Sequence, residues 1–597
     1  MNNETITTVN RSGILISIIV FVALVYSVRL FQLQIVEHTK FDKESTENSV
    51  KAIDLTPLRG VFYDRNRELL VENTPAYTIR ITPAYYDTSN NKFVEKIAGL
   101  DPGAIRTILR KNRDYSKFTP IKVKRGVTFT SVAWLEENSE LLQGVDYIIE
   151  LQRGYPGGVK GSHIFGYSKE VSKNQIKNDP YYIAGDLIGY NGIERKYEPV
   201  IRGIKGKTFI IVDSKGREIS KFKEGYQDIP SIKGIDLVLG IDAEIQRIAE
   251  EHLKGKTGAV VAVEPKTGQI LAMASAPDYD LNEFSYVTSR DYLRQLATHP
   301  DKPQFNRATM SLHPPGSTFK VLCAAIALDM GVIDENTTLY CAGGFTFGRF
   351  FKCHGGVHGS INVTRAIEKS CNSFFYQLIF KIGLDNLHEY TKRFKVGVKT
   401  GIDIFEETGG LIPNSKYYEK AFGKNWPQGV LVSLGIGQGE ISLTPLQLAY
   451  YTALIANDGK SFSPHIVKGY LDENKKFSPV VVNEVNTGIK KSAFEIVKKG
   501  MFLVVNGAGT ATHVRIPGIN VAGKTGTAQN PHGKDHAWFI GFAPFEDPKI
   551  AICVLVENSG FGGTHAAPIA KKMIESYLLR NKKENEGKNE KSLLAKN

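Results

Sequence analysis

The sequence is poor in cysteine and has no strong concentration of charge, and both shortages limit what it can be. Its 597 residues include five cysteines, too few for a disulfide scaffold, and the odd number leaves at least one unpaired. Lys+Arg exceeds Asp+Glu by 75 to 62, but the formal charge of +13 is spread thinly along the chain. Without a basic cluster, this excess favours an anionic environment over a nucleic-acid groove, so we expect no nucleic-acid partner.

Long hydrophobic runs are also scarce, and the one that is present lies near the N-terminus. Ser12 to Val28 carries no charge between Arg11 and Arg29. As a helix this run spans about 25 Å, and extension through Phe31 brings it close to the hydrocarbon core of about 30 Å. No small-x-small cleavage site follows, which favours an uncleaved anchor at 12–31 over a signal peptide. No second span follows it, so the rest of the chain lies on one side of the membrane.

The remaining composition is that of globular domains. Hydrophobic residues make up 42% and charged residues 23%, which excludes a disordered chain and a polytopic membrane protein. At about 150 residues per domain, the length predicts two to four domains. Residues 32–232 are glycine-rich without a catalytic or metal-ligand cluster and are typical of a structural or docking module. A strand–helix pattern begins at Gly234, and 258–275 predicts a hairpin. We therefore place domains at 32–232 and 233–579, and a flexible polar tail at 580–597.

The first motif with chemical content is HPPGSTFK, in which Ser317 and Lys320 stand three residues apart. Pro314-Pro315-Gly316 cannot be helix interior, and the apolar pattern that follows predicts a helix beginning at Ser317. Lys320 then lies one turn later on the same face. A serine hydroxyl needs a neighbouring base, and a lysine serves as one only when its pKa is lowered. The same S-x-x-K spacing at Ser89 and Ser220 follows no strong helix-start signal.

Two further motifs, S-x-N and K-T-G, follow S-x-x-K along the chain, and their order is a stronger signal than either motif alone. Ser370 and Asn372 lie in a predicted loop between two helices, where a hydroxyl and an amide point at one place. K-T-G occurs four times, and we choose Lys524-Thr525-Gly526 with Thr527, because this copy is in a strand followed by a second strand. A strand that carries lysine and threonine and has a glycine for close approach can receive an extended peptide ending in a carboxylate.

The ordered set of S-x-x-K, S-x-N and K-T-G resembles the penicillin-binding transpeptidases and serine β-lactamases. The anchor, RGVFYDRN, GYNGIERKY, GQGEISLTPLQLA and GKTGTAQNPHGKDHAWFIGFAP are most similar to class B penicillin-binding proteins of the elongation type, penicillin-binding protein 2. The resemblance covers nearly the whole chain after residue 29. That subgroup often has Asp at the third position of S-x-N, where this chain has Asn372, and the difference leaves the hydrogen-bonding role of residue 372 open.

The resemblance implies an α+β fold with a single transmembrane helix. It implies a mixed pedestal, or dimerisation-type, domain and a penicillin-binding/β-lactamase-like domain whose central antiparallel sheet is flanked by helices. It places residues 1–11 in the cytoplasm and the catalytic domain in the periplasm, behind the bacterial inner membrane. The implied partners are peptidoglycan stem peptides ending in D-Ala-D-Ala, β-lactams, a SEDS-family glycan polymerase and periplasmic elongation proteins.

The implied reaction is a D,D-transpeptidation through an acyl-enzyme, which needs no cofactor. Lys320 takes the proton of Ser317, which attacks the penultimate D-Ala, and Ser370 passes a proton to the leaving D-Ala. Lys524, Thr525 and Thr527 hold the terminal carboxylate, and the charge of Lys524 helps to keep Lys320 neutral. A D,D-carboxypeptidase and a penicillin-sensing scaffold remain alternatives. A β-lactamase would have no use for the anchor and the 32–232 module.

The cysteines carry a separate signal. Cys323 and Cys553 lie in apolar helix and strand patterns and are expected in the core. Cys341, Cys353 and Cys371 cluster around CHGGVHG, whose glycines prevent a helix, and three thiolates with His358 satisfy a structural zinc site. A Cys341–Cys353 disulfide and unlinked thiols are the alternatives. Some members of the penicillin-binding protein 2 subgroup bind a metal beside the S-x-N loop. In this chain His358 corresponds to the histidine of their G-H-G motif, and Cys371 corresponds to the middle residue of their S-x-N motif.

Overall fold

The structure is a computed structural model that describes residues 11–37, 49–114, 116–156, 158–213, 218–285 and 288–594, with side chains between 13 and 580. Nearly all of the expected tail at 1–11 lies outside the described residues. The expected anchor is the helix Arg11–Phe31, continued by a π-helical turn at Gln32–Val36. Its apolar stretch Gly13–Val36 is 24 residues long and contains an 18-residue segment with a mean hydropathy of 2.6, none of which is buried. This length suffices to cross a bilayer.

The N-terminal module is built from strands with short helices. Its strands are β1 (Val50–Leu55), β2 (Phe62–Tyr63), β3 (Leu69–Ile81), β4 (Ile121–Val127), β5 (Val145–Gly154), β6 (Ser168–Glu170), β7 (Leu187–Gly189), β8 (Gly206–Val212) and β9 (Glu218–Lys221). Its helices and single turns are Thr88–Asn90, Asn91–Ala98, Ala104–Lys111, Phe129–Glu137, Lys173–Asn178, Gly192–Lys196, Glu198–Ile201 and Phe222–Gly225. The long strand β3 pairs with β4 and with β5, while β1, β8 and β9 form a separate three-stranded sheet.

A buried ionic cluster ties together three segments of this module that are distant in sequence. Arg59 lies 2.5 Å from carboxylate oxygens of both Glu194 and Glu198, and Arg153 pairs with Glu194 from the other side. Burial would raise the pKa of Glu194, but the charges of Arg153 and Arg59 outweigh it and lower the pKa below its usual value. An added Cβ at Gly60 would lie 1.9 Å from the Ile235 carbonyl oxygen, so only glycine fits there. These residues hold the module to the start of the next domain.

The C-terminal domain contains the remaining strands and most of the helices. Its strands are β10 (Asp236–Leu239), β11 (Gly258–Val263), β12 (Ile270–Ala276), β13 (Thr338–Cys341), β14 (Gly344–Phe347), β15 (Arg349–Lys352), β16 (Gly359–Asn362), β17 (Lys460–Phe462), β18 (Val467–Leu471), β19 (Phe477–Pro479), β20 (Glu484–Asn486), β21 (Ala522–Ala528), β22 (His536–Ala543) and β23 (Ile550–Val556). Its helices and single turns are Ala243–Leu253, Asn282–Ser285, Arg290–Thr298, Arg307–Met310, Gly316–Thr318, Phe319–Asp329, Val363–Glu368, Asn372–Ile382, Leu384–Arg393, Ser415–Phe422, Val430–Leu434, Pro445–Ala456, Lys491–Asn506, Thr512–Val514, Gly562–His565 and Ala567–Leu594.

The core of this domain is an antiparallel sheet in the order β12-β11-β23-β22-β21. Helices cover both faces, so β11, β22 and β23 are buried along their whole length and consist almost entirely of apolar residues. The helix Pro445–Ala456 is buried at every position and contacts β11, β22 and β23. Thr444 caps it in a reciprocal capping box with Gln447. The sheet leaves β21 at its edge, and that strand carries the K-T-G motif.

The expected fold class is confirmed: the chain is α+β, with one N-terminal apolar helix and a central antiparallel sheet flanked by helices. The hairpin expected at 258–275 is formed by β11 and β12. The two domains share a sheet, because β10 pairs in parallel with β2 and antiparallel with β18. The stretch after residue 580 continues the last helix to Leu594, and its flexibility stays a prediction.

Candidate active site

Ser317 lies in a single turn of 3-10 helix, Gly316–Thr318, that continues directly into the helix Phe319–Asp329. This turn is pressed against β21 by a glycine. Gly316 has φ +55°, and an added Cβ would lie 2.7 Å from the Thr527 carbonyl oxygen. Its backbone N–H donates to the Gly437 carbonyl oxygen at 2.9 Å. The half-buried Ser317 hydroxyl makes no hydrogen bond to another described residue, so it is free to meet a ligand.

Lys320 is completely buried beneath Ser317, and its ammonium group points at the S-x-N loop. Nζ lies 2.8 Å from the Ser370 carbonyl oxygen and 3.3 Å from the Ser370 hydroxyl, and it also donates to Asn372 Oδ1. Burial lowers the pKa of Lys320 from 10.5 to about 8, against an opposite effect of the nearby cysteines. A large part of Lys320 is therefore neutral near pH 8, and it can accept a proton.

Ser370 stands between two lysines. The loop that carries it joins the helices Val363–Glu368 and Asn372–Ile382, and Ser370 adopts φ +53°, a left-handed conformation that is uncommon for residues other than glycine. Its hydroxyl accepts a hydrogen bond from Lys524 Nζ at 2.9 Å as well as from Lys320 at 3.3 Å. Strained residues of this kind gather at functional sites, and this one holds a hydroxyl between two amines.

The K-T-G residues lie on the sheet edge that faces the cleft. Lys524 is fully buried, and burial followed by the charge of Lys320 lowers its pKa well below 10.5. We expected the charge of Lys524 to help keep Lys320 neutral. Burial is the main cause of the lowered pKa of Lys320, and the repulsion between the two ammonium groups disfavours the charge on both, so the contribution of Lys524 stays a prediction. Gly526 allows close approach, since a Cβ there would lie 2.8 Å from the Thr318 side chain.

One cleft of about 480 Å³ is lined by Ser317, Ser370, Asn372, Thr525 and Thr527, with Lys320 and Lys524 buried behind its wall. Several other residues of its wall were not predicted from the sequence as part of the site. Thr510 Oγ1 lies 2.6 Å from Thr525 Oγ1, and Gln438 Nε2 lies 3.4 Å from the Thr527 carbonyl oxygen. His354 and Phe561 face each other at the cleft with ring centroids 6.3 Å apart. Thr510 follows a Gly-Ala-Gly loop and Gln438 a Gly-Ile-Gly loop, but neither pattern has a spacing that indicates a cleft.

The other copies of the short motifs lie elsewhere. Ser89 is in the exposed turn Thr88–Asn90 of the N-terminal module, and Ser220 is in the exposed strand β9. Lys266 is in the turn between β11 and β12 and pairs with Asp547 at the surface. The expectation that the chain has no phosphate-binding G-x-x-x-x-G-K-[ST] pattern is wrong, because residues 518–525, GINVAGKT, have this spacing. A phosphate-binding loop precedes the first turn of a helix, but the last four of these residues belong to strand β21. The structure therefore excludes phosphate binding of this type.

The cysteine cluster is brought together next to this cleft. Ligand atoms of Cys341, Cys353, His358 and Cys371 all lie within 4.8 Å of one another. His358 Nδ1 is 3.6 Å from each of the Cys341 and Cys353 sulfurs, and the Cys353 and Cys371 sulfurs are 3.9 Å apart. Tetrahedral Zn–S bonds of about 2.3 Å and Zn–N bonds of about 2.0 Å place their ligand atoms about 3.5–3.8 Å apart, so the residues fit such an ion.

The alternatives to a zinc site are a Cys341–Cys353 disulfide and unlinked thiols. All five cysteines are free thiols, so the structure contains no Cys341–Cys353 disulfide. A hydrogen bond from the Cys371 thiol lowers the pKa of Cys353 to about 4 and raises that of Cys371. Cys323 and Cys553 are buried in the core as expected.

Comparisons with known proteins agree with this architecture. Residues 54–239 match the penicillin-binding protein dimerisation domain, and residues 258–575 match the penicillin-binding protein transpeptidase domain. The chain is 34% identical over 582 residues to the peptidoglycan D,D-transpeptidase MrdA of Haemophilus influenzae, covering 92% of this chain and 88% of that protein.

Two solved structures have the same fold. One is a complex between the penicillin-binding protein PBP2 and MreC from Helicobacter pylori, with a TM-score of 0.75 and 28% identity, covering 89% of this chain and 99% of that one. The other describes structural coordination of polymerization and crosslinking by a peptidoglycan synthase complex, with a TM-score of 0.71 and 26% identity, covering 95% and 98% of the two chains.

Proposed function

The chain belongs to the penicillin-binding proteins and is a serine-type peptidoglycan D,D-transpeptidase, and from this premise we propose how its residues divide the reaction. Ser317 is the nucleophile and Lys320 the base that removes its proton. The hydroxyl attacks the carbonyl carbon of the penultimate D-Ala of a stem peptide, an ester forms on Ser317, and the terminal D-Ala leaves. The depressed pKa of the buried Lys320 supports this assignment, since an ordinary lysine would be charged.

Ser370 is the residue that carries the leaving-group proton in this proposal. The observation on which it rests is the position of the Ser370 hydroxyl, within 3.3 Å of Lys320 Nζ and 2.9 Å of Lys524 Nζ. A hydroxyl in this place can take a proton from one amine and donate its own to the departing nitrogen. Asn372, whose Oδ1 accepts from Lys320, keeps the Lys320 amine aimed at the loop.

The edge strand β21 is the proposed binding site for the substrate terminus. An extended peptide can pair with its open side, with its carboxylate near Lys524, Thr525 and Thr527. The backbone N–H groups of Ser317 and Thr527 are the proposed oxyanion hole, because Gly316 packs the nucleophile's turn against Thr527. Removing one such donor typically costs about 3–4 kcal/mol of transition-state stabilisation.

Labelling with a fluorescent penicillin tests the nucleophile. We expect Ser317→Ala to lose all labelling, and Ser89→Ala, in the other S-x-x-K copy, to keep it. Peptide mapping of the adduct should find it on Ser317. Labelling that survives in Ser317→Ala would refute the assignment. Incubation with glycan strands separates the alternative reactions, since a transpeptidase yields crosslinked dimers and a carboxypeptidase releases D-Ala alone.

We further propose that Cys341, Cys353, His358 and Cys371 hold a structural zinc ion. Bound there, the ion would neutralise the thiolates and fasten the segment that carries Ser370 and Asn372. Purified, unchelated protein should then contain about one zinc per chain. His358→Ala should lose the metal and label more slowly, whereas His354→Ala, which alters a histidine outside the cluster, should retain it. Less than about half an equivalent in the wild-type protein would contradict the site.

The last part of the proposal concerns location and partners. A single-pass anchor at 12–31 places the domains 32–232 and 233–579 outside the bacterial inner membrane. The relatives in complex with MreC and in a peptidoglycan synthase complex support a periplasmic elongation protein and a membrane glycan polymerase as partners, and we propose that the elongation protein docks on the N-terminal module. Exposed apolar side chains are available there, with Tyr226 at 93% and Ile219 at 65% exposure. Tyr226→Ser with Ile219→Ser should weaken co-purification of a partner and leave penicillin labelling unchanged.

A further inference from the structure

A groove of about 500 Å³ lies beside the catalytic cleft, and none of the catalytic roles above uses it. The hairpin of β14 and β15 forms one side and the segment 427–440 the other. Two aromatic rings form its floor and are themselves supported from below. The Phe347 ring centroid lies 4.8 Å from that of Phe380, and the Phe351 centroid lies 5.8 Å from that of Tyr376. The floor is therefore an apolar surface with fixed rings.

The groove and the cleft are separated by one short loop. Gln438 lines the cleft, and the next two residues, Gly439 and Glu440, line the groove. The loop is fixed to the nucleophile's turn, because the Gly437 carbonyl accepts the Gly316 N–H at 2.9 Å. At about 3.3–3.6 Å per residue, Glu440 lies at most about 7 Å along the chain from Gln438. A chain lying in the groove can therefore extend one end into the cleft.

The groove has one negative side chain, Glu440, and one positive side chain, Arg349, at different positions along it. Glu440, at the end next to the cleft, accepts a hydrogen bond from the Tyr418 hydroxyl at 2.5 Å and has no cationic partner among the described residues. Arg349, at the tip of the hairpin, lies over the Phe351 ring at 4.7 Å and pairs with no carboxylate in the described part of the chain. No other charged side chain lines the groove within the described residues. This pattern suits a ligand with an ammonium near the cleft and a carboxylate farther out.

We propose that this groove binds the acceptor strand of the transpeptidation, a stem peptide with a free amine near the cleft and a carboxylate along its length. The proposal rests on the proposed function and names the second substrate of that same site. Glu440 holds the incoming ammonium, Arg349 binds the carboxylate, and the Phe347 and Phe351 rings carry the aliphatic part. A D,D-transpeptidase needs such a site in addition to β21, because donor and acceptor peptides must be held together.

The chemical step in the cleft balances as follows. The ammonium of the acceptor loses one proton to solvent, and its nitrogen attacks the carbonyl carbon of the ester on Ser317. The amide C–N bond forms while the bond between that carbon and the Ser317 oxygen breaks. One of the two remaining amine protons passes to the serine oxygen, and the free hydroxyl is restored. Glu440 and Arg349 position the acceptor and take no part in these transfers.

The test measures how the acyl-enzyme is divided between amine and water. The full-length protein in detergent receives a thioester analogue of the donor peptide and increasing amounts of a stem peptide with a free side-chain amine. The variants are Glu440→Gln and Arg349→Gln. Their matched controls are Glu419→Gln on the nearby helix Ser415–Phe422 and Lys352→Gln on the same hairpin, both exposed charges outside the groove.

We expect each groove variant to need about tenfold more acceptor for equal aminolysis and hydrolysis, and each control to match the wild type. With an acceptor whose carboxylates are amidated, Arg349→Gln should no longer differ from the wild type. Unchanged acceptor dependence in both groove variants would overturn the proposal, and so would slower acylation by the donor, which would place the donor strand in the groove. Failure of the wild-type protein to form any acyl-enzyme would instead contradict the proposed function.

Discussion

The pH dependence of acylation tests the base more sharply than a simple loss of activity. Lys320 is fully buried, and burial lowers its pKa from 10.5 to about 8. At pH 7 about one molecule in ten then carries a neutral Lys320, against about one in 3,000 for an ordinary lysine. Because only the neutral amine accepts the Ser317 proton, the structure predicts a gain of about 300-fold in reactive enzyme at neutral pH.

Raising the pH removes the Lys320 proton, so the second-order rate constant for acylation should rise about tenfold per pH unit below 8 and level off above it. Time courses of fluorescent-penicillin labelling between pH 6 and 9 measure this constant. Lys320→Arg should abolish the rise and the activity together, since arginine stays charged. Lys369→Met, which alters an amine at the cleft wall whose hydrogen bond among the described residues goes to the Ala508 carbonyl, should leave the profile unchanged.

A rate constant that does not change between pH 6 and 9 would refute the reasoning, because it would mean that no group titrating near 8 limits acylation. A rise that continues up to pH 9 without levelling off would show that burial does not lower the Lys320 pKa to about 8. Either result would move the role of base to another group of the cleft.

Three further predictions concern other parts of the chain. Gly316→Ala should slow acylation about 100-fold, because a Cβ at φ +55° and 2.7 Å from the Thr527 oxygen displaces the nucleophile, whereas Gly331→Ala, with open space around it, should not. Glu194→Gln should lower the unfolding free energy by about 3–5 kcal/mol, measured by chemical denaturation, while the half-exposed Glu170→Gln should change it by less than about 1 kcal/mol. Since the pKa of Glu194 is lowered, its stabilising effect should be complete well above pH 4 and lost on acidification, and equal melting temperatures from pH 7 down to pH 3 would contradict this.

The local parts of this structure could be predicted from the sequence. The turn before Ser317, the β11–β12 hairpin and the strand that carries Lys524 each depend on residues within about ten positions of one another, where proline, glycine and periodicity act directly. The order of the three motifs then predicted that they meet. What could not be predicted is how they meet, because the 2.9 Å contact between Lys524 and Ser370 joins residues 154 positions apart.

The junction of the domains shows the same limit. Residue 233 is a sensible boundary by composition, yet β10 lies beyond it and pairs with β2 of the N-terminal module. A strand of four residues, Asp236–Leu239, is too short for its sequence to reveal which sheet it joins. The ion pairs of Arg59 likewise join residues from three distant segments, and nothing in the sequence pattern of these segments indicates that they meet.

The most consequential feature of the site is that two separate structural units fix the same three residues. Ser370 and Asn372 receive hydrogen bonds from Lys320, while Cys371 between them belongs to the cysteine–histidine cluster. A left-handed residue such as Ser370 persists only when its surroundings over-determine it. Lys320 donates to the carbonyl oxygen and the hydroxyl of Ser370 and to Asn372 Oδ1, so it holds both the backbone and the side chains of this loop. The Cys371 sulfur, between those two residues, belongs to the cysteine–histidine cluster, so a change that disturbs the cluster should also displace the proposed proton relay.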